Sequence, residues 1–130
     1  MEEAMAERID TLASELLDKA KDINGVKVIE LLGIRVADVV KNVAFTIRKK
    51  SPEHTVFVGA TMSPDKKPLL TVMLSDDMVK NGANAGQIVR EAAKLIKGGG
   101  GGQPFFAQAG GKDVEGLSAA RDKIMELLAL

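Results

Sequence analysis

The sequence predicts an α/β domain: a small mixed sheet with an antiparallel hairpin, covered by helices and preceded by a coiled-coil-like helix. Three observations carry this expectation. Apolar residues recur at helical spacing in four segments, β-branched and apolar runs fill the stretches between them, and Gly, Pro, Asn or Asp punctuate the joints. With 130 residues, 45% of them hydrophobic, the chain has the material of one domain, which buries about 65–70% of the surface its unfolded form exposes.

The elements follow in order. Glu2 to Asp22 lacks Gly and Pro and places Met5, Ile9, Leu12, Leu16, Ala20 and Ile23 on a narrow seam flanked by charges. So short a helix is marginal alone in water. It calls for a helix upstream, a second copy, or the body as partner. The seam reads as the tail of a longer helical element, with Met1 an added start; the other reading is an ordinary amphipathic helix packed on its own domain. Asn24-Gly25 then ends it as a C-cap. Val26 to Leu32 reads as a strand, and Ile34 to Lys50 as a helix with Val36, Val39, Val40, Val43 and Ile47 inward. Arg48-Lys49-Lys50 complements the dipole at its end, and Ser51-Pro52 stops it. His54 to Met62 and Leu69 to Ser75 form a hairpin across the polar turn at 63–68. Asp76-Asp77 caps a short helical turn that ends at Asn81-Gly82. Ala85 to Ile96 is a helix burying Ile88, Ala92, Leu95 and Ile96. Its opposite face stacks Gln87, Arg90, Lys94 and Lys97 into a polar, basic stripe. A short strand follows the glycines, and a last helix, N-capped by Asp113, buries Leu117, Ala120, Ile124, Leu127 and Leu128.

Composition narrows the chemistry. Cysteine is absent, which removes disulfides, thiol nucleophiles and Cys-based zinc sites together. There is no Trp or Tyr and only four Phe, so stacking of single-stranded bases on aromatic platforms has little to work with. The single His54 reads as a strand-edge residue and not as a catalyst. No apolar run approaches the ~18 residues of a membrane span, the acidic N-terminus lacks a signal-peptide pattern, and a cytoplasmic protein is the plain reading. The zero net charge hides a split. Seven acids face three bases up to Ile23, and fifteen bases face eleven acids thereafter. A mildly basic body is compatible with a polyanion.

Gly98 to Gly102 is a run of five glycines. A flexible linker is the first explanation to weigh, but too little follows to fold alone, Phe105-Phe106 calls for burial, and Gly110-Gly111 closes the segment. The stretch reads better as a loop approached closely by another backbone or a ligand. It is no phosphate P-loop, since Gln103-Pro104 replaces the required Lys-Ser/Thr, and no dinucleotide fingerprint, since it follows a helix and leads into a strand. What remains is a loop whose amides face phosphate or ribose oxygens, with Lys94, Lys97 and Lys112 nearby.

Gly100-Gly101-Gly102-Gln103-Pro104-Phe105-Phe106-Ala107-Gln108-Ala109-Gly110-Gly111 resembles the Gly-Gly-Gly-Arg-Pro-Asp-Met-Ala-Gln-Ala-Gly-Gly signature near the C-terminus of bacterial alanyl-tRNA synthetases. The resemblance covers roughly Asn24 to Leu130, and residues 1–23 look like the end of the helical linker before it. It implies a module without catalytic residues that clamps the outer corner of tRNA(Ala) for catalytic and editing domains upstream in the same polypeptide. Self-association would run through the N-terminal helix. ATP, magnesium and zinc would belong to the parent enzyme and not to this chain. Expected contacts are Arg90, Lys94, Lys97, Gly99, Gly100, Gly101, Gly102, Gln103, Gln108 and Lys112. Gln103, Phe105 and Phe106 depart from the family's Arg, Asp and Met, and the first departure removes an expected donor. Two other readings remain: a nucleotide-gripping domain of a DHH-type phosphodiesterase, where the glycine run commonly leads into a His, and a dimerisation module.

Overall fold

A computed structural model describes residues 3–130, with side chains from Arg8 onward. Met1, Glu2 and the Met5 side chain of the expected seam lie outside the described residues. The elements are α1 (Glu3–Asp18), β1 (Lys21–Ile23), β2 (Val26–Ile34), α2 (Ala37–Lys50), β3 (Thr55–Met62), β4 (Pro68–Leu74), α3 (Asp76–Lys80), α4 (Ala85–Ala93), β5 (Gly99–Gly102), β6 (Phe106–Gly110) and α5 (Leu117–Leu127). Two 3-10 turns, Lys94–Ile96 and Val114–Gly116, extend α4 and introduce α5.

The strands form one sheet in the order β1-β2-β3-β4-β6-β5. Only β2 and β3 run parallel, joined by the α2 crossover; every other neighbouring pair is antiparallel. The sheet is therefore mixed, as its sequence pattern predicts, and helices cover both faces. Side chains alternate along each strand, so two cores form. Ile29, Leu31, Phe57 and Met73 meet Val40, Val43, Ala44 and Ile47 of α2, with Ile9 and Ala13 of α1 behind them. Val56, Val58, Leu70, Val72, Leu74, Ala107 and Ala109 meet α4 and α5 on the other face.

Several local expectations are corrected. The first helix stops at Asp18, four residues early. Asn24 and Gly25 both have positive φ, 55° and 82°, the pairing of a type I′ hairpin turn. They fold Lys21–Ile23 back onto Val26–Val28, with the Gly25 amide donating to Asp22 Oδ1 at 3.1 Å. Ile23 is thus a strand residue, and the expected boundary between residues 23 and 24 falls inside this hairpin. Ile9 of the seam and Ala13 beside it are buried against the body, with Leu12, Leu16 and Ala20 of the seam partly buried, and Lys50 of α2 reaches Asp10 at 2.9 Å. Ile34 belongs to β2, and Val36 is the extended N-cap of α2, 54% exposed instead of inward. Tightening into a 3-10 turn after Ala93 rotates Leu95 outward, and Leu127 also stands 40% exposed.

The largest difference lies in the glycine run, which is not a loop. Gly99–Gly102 is the outer strand β5, paired with β6 from Gly99↔Gly110 to Gly102↔Ala107. The backbones press so closely that side chains are excluded. A Cβ on Gly98 would lie 2.0 Å from the Gly110 carbonyl oxygen, and one on Gly100 would lie 2.5 Å from that of Gln108. On the helix side, a Cβ on Gly86 of α4 would stand 3.0 Å from the Gly102 carbonyl oxygen. Ala107 and Ala109, small and buried, leave room for α4 to settle this low. The connecting tip is held as firmly. The Gln103 amide donates to the Phe106 carbonyl, Leu74 to Phe105, and Ala85 to Pro104, at 2.8–2.9 Å. Phe106 packs on Phe45 with ring centroids 4.7 Å apart, and Phe105 lies beneath the Arg48 guanidinium at 4.6 Å.

His54, with φ 49°, precedes β3 and is pinned by Asp77. Burial opposes the charge of Asp77. The Ser75 hydroxyl at 2.6 Å, the His54 amide at 3.1 Å and the His54 ring at 2.8 Å outweigh it and hold the carboxyl below its usual range. The stability this gives is present above the ordinary carboxylate pKa and is lost as pH falls through the lowered folded value. Asp77→Asn is therefore less stable than the parent at pH 7, and denaturant melts at pH 7, 5 and 3 show the gap closing toward acid.

Gly100→Ala destabilises by about 1–3 kcal/mol, the usual cost of overpacking. Gly99→Ala, where a Cβ meets nothing within 4 Å, stays within about 0.5 kcal/mol of the parent. Urea melts of the two variants side by side check the contrast.

Candidate nucleic-acid interface

The register of β5 and β6 divides the glycines by face. Gly100 and Gly102 stand opposite Ala109 and Ala107, where a Cβ would run into β6, whereas Gly99 and Gly101 stand opposite Gly110 and Gln108. This second set is open. Nothing lies within 4 Å of a Cβ on Gly99, and the nearest atom to one on Gly110 is the Pro68 carbonyl oxygen at 3.9 Å. The result is a flat strip of bare backbone at the sheet margin. As the outermost strand, β5 also turns half its amides and carbonyls away from the ladder. Gln108 is the polar side chain of the strip, held by donation from Nε2 to the Thr71 hydroxyl at 3.1 Å.

The expected cations fall into two groups. At the α4 side, Arg90 reaches β5, its Nη2 3.5 Å from the position a Gly101 Cβ would take. Lys94, on the same helical stripe, is paired with Glu91 at 3.1 Å. Gln103 is exposed at the hairpin tip, at the opposite end of β5 from Lys97. Lys97 and Lys112 meet at the other end of the strip. There the chain leaves the 3-10 turn at Lys97 in a left-handed conformation, φ 53°. The Ile96 carbonyl accepts the amides of Lys112 at 2.8 Å and Asp113 at 3.0 Å. A Cβ on Gly111 would lie 2.3 Å from that same oxygen. Gly111 is thus what lets the two lysines, fifteen positions apart in sequence, flank one spot.

That spot is a cleft of about 480 Å³ between the start of β5, the end of β6 and the hairpin of β3 and β4. Two cations that sequence reasoning missed also line it: Arg35, just after β2, and Lys67, in the β3–β4 turn. Ser63 lines it too. Its turn is braced by the Ser63 amide on the Lys67 carbonyl at 2.9 Å and the Lys67 amide on the Ser63 hydroxyl at 3.1 Å. The Ser63 hydroxyl also bonds Asp65, and that bond, with help from Lys67, holds the Asp65 carboxyl below its usual range. Among the described residues no acidic side chain lines the cleft. Arg35 and Lys67 leave no local signal, because the chain reaches this spot from four separate connections. Among the described residues no group of three or more His, Cys, Asp or Glu could hold a metal ion.

Comparison with known proteins agrees with this architecture. The DHHA1 domain matches residues 33–130. The alanine–tRNA ligases of Bacteroides thetaiotaomicron and Bacteroides fragilis are each 48% identical over 130 residues, covering 100% of this chain and 15% of the relative. The chain thus spans about one seventh of the curated relatives it matches. The crystal structure of the C-Ala domain from Aquifex aeolicus alanyl-tRNA synthetase superposes with a TM-score of 0.73 at 25% identity, over 85% of this chain and 98% of that one. A DHH-domain protein described as a member of the s1p family of ribosomal proteins shares the fold, with a TM-score of 0.55 and 15% identity over 95% of this chain and 30% of its own. With the glycine strand, the helices and the mixed sheet all in place, the chain belongs to the DHHA1 domain family and corresponds to the C-Ala domain of alanyl-tRNA synthetase.

Proposed function

We propose that this chain is a tRNA-binding module of an alanine–tRNA ligase, holding the outer corner of tRNA(Ala) while other domains of the same polypeptide perform aminoacylation and editing. The observation that carries the reading is the strip of bare backbone at Gly99, Gly101 and Gly110, bordered by Arg90 at one end and by Lys97 and Lys112 at the other. Side-chain-free strands admit a sugar-phosphate backbone to direct contact with amides, and flanking cations supply the electrostatic attraction. Gln108, fixed by Thr71, offers a polar contact from within the strip. Arg90 contributes more than Lys94, whose ammonium already faces Glu91. Contact with 2′-hydroxyls and phosphates suits a folded RNA recognised by shape.

Other readings have less support. The glycine run leads into Gln103 and not into the His of DHH-type phosphodiesterases, and the likeness to a DHH-domain protein extends to the fold alone. Among the described residues of α1, Ile9 and Ala13 are buried against the body and Leu12, Leu16 and Leu17 pack partly on it, which leaves them less apolar surface for dimerisation.

If about four cations each neutralise one phosphate, the logarithm of tRNA affinity falls against that of salt concentration with a slope near −3 to −4. Fluorescence anisotropy from 50 to 300 mM salt measures it, and a flat response counts against the proposal. Replacing Arg90 and Lys94 together by Glu weakens binding far more than Lys19→Glu in the acidic arm. Gln103→Arg, which restores the family's cation at the hairpin tip, tightens binding and steepens the slope by about 0.9.

A further inference from the structure

Four cations from distant points of the sequence converge on the cleft at the start of β5. Arg35 comes from the β2–α2 connection, Lys67 from the β3–β4 turn, Lys97 from the end of the α4 extension, and Lys112 from the segment before α5. A solvated helix face does not explain them, since no two share an element. Three of the four form no ion pair among the described residues. Lys67 alone has a carboxylate neighbour, Asp65 at 3.7 Å, with both side chains exposed; such a pair contributes little. Like charges gathered around one cavity repel one another and oppose folding unless an anion sits among them.

We propose that this cleft is a phosphate subsite that takes a phosphodiester of the RNA backbone, an assignment that rests on the tRNA-binding reading above. Three features of the cleft select this ligand. Its backbone wall, Gly98 and Gly99 facing Gly110 and Gly111, carries no side chains, so a phosphate oxygen approaches main-chain atoms directly. Its floor includes Ala37, Pro68 and Leu69, carbon surface that suits the ribose on either side of a diester better than a bare, fully hydrated phosphate. Its size lies within the range of about 300–1,000 Å³ typical of small-ligand sites, ample for a phosphate with its adjoining sugars.

The backbone of the cleft is also set in advance. Lys97 holds a left-handed main-chain conformation, and the Lys112 amide is bound to the Ile96 carbonyl. Lys67 is fixed by the braced Ser63–Lys67 turn, and the Gly111 amide donates to the Pro68 carbonyl at 3.2 Å. The Arg35 amide donates to Met62 at 2.9 Å, while its Nε leans toward the Leu32 carbonyl at 3.5 Å. Little backbone ordering is then left to occur on binding, and the cost that remains is that of ordering the exposed lysine side chains. The subsite lies at the opposite end of the glycine strand from Gln103, so it adds a second anchoring point for the RNA strand and sets the direction in which that strand crosses the strip.

The test is the double variant Arg35→Gln, Lys67→Gln in the full 130-residue chain, titrated with tRNA by anisotropy over a salt series. The slope is expected to become shallower by up to about 0.9, the loss of one neutralised phosphate, with affinity at 50 mM salt falling at least tenfold. The thermal midpoint is expected to hold or rise, because repulsion within the cleft is relieved. Inorganic pyrophosphate raises the midpoint of the parent chain and not of the variant, and it does so less, at equal concentration, than a short RNA strand does. Lys112→Gln provides an independent single change at the same phosphate, expected to lower affinity and to make the slope shallower by no more than about 0.9. Parent-like slope and affinity in both variants overturn the subsite while leaving the tRNA-binding reading standing. A parent chain that binds no tRNA overturns that reading itself. Stabilisation by pyrophosphate that equals or exceeds that by RNA overturns the assignment to a diester in favour of a free anion.

Discussion

The closeness of three backbones at the sheet margin governs much of this structure. β5 lies against β6, and α4 lies low across both, at separations that leave no room for a methyl group at Gly98, Gly100 or Gly102 and barely enough at Gly86. Glycine at these positions is a packing requirement and not a source of slack. An unbroken glycine run carries a large entropic penalty on ordering. Here that penalty is offset by a complete ladder on one side, by the burial of Ala107 and Ala109 beneath α4, and by three hydrogen bonds that clamp the hairpin tip. What is left uncovered, at Gly99, Gly101 and Gly110, is then rigid by inheritance.

The same closeness shapes the electrostatics. Lys97 and Lys112 flank one cleft because the chain after β6 can slip beneath the Ile96 carbonyl, and it can do so because residue 111 has no side chain. Several cations away from the cleft are neutralised at short range: Arg48 with Asp76, Lys50 with Asp10, Arg121 with Glu30. Around the cleft only Lys67 has a carboxylate neighbour among the described residues, Asp65 at 3.7 Å. The overall neutrality of the chain conceals this local gathering of positive charge.

Much of this was legible in the sequence, for physical reasons that differ by region. Strong local patterns announced themselves: the β-branched and apolar runs of β3 and β4, the spacing of Val40, Val43 and Ile47, the Asp113 cap. Mixed-sheet architecture followed from their order. Where a short-range signal had two meanings, the wrong one was taken. Asn24-Gly25 serves equally as a helix stop or a hairpin turn, and only the pairing of Lys21–Ile23 with Val26–Val28 decides between them. The glycine run was recognised as a site of close approach yet read as a loop, because residues without side chains show no alternation. Of the candidate site, Lys97, Gly99 and Lys112 do gather at one place, and Arg90 does reach the strand. Lys94 is diverted to Glu91. Arg35 and Lys67 lay beyond reach, since their proximity is a product of topology: the parallel crossover and the hairpin end at the same edge only after the sheet is built.

The strand order also bears on how the molecule comes together. β6 sits between β4 and β5, so the glycine strand touches the rest of the sheet only through a neighbour made after it. Until residues 106–110 have been synthesised and inserted, residues 99–102 have no ladder to join and are the weakest strand-forming segment of the chain. The surface proposed for nucleic acid is therefore the portion whose existence depends on completion of everything else, and an incompletely made or partly unfolded copy lacks it.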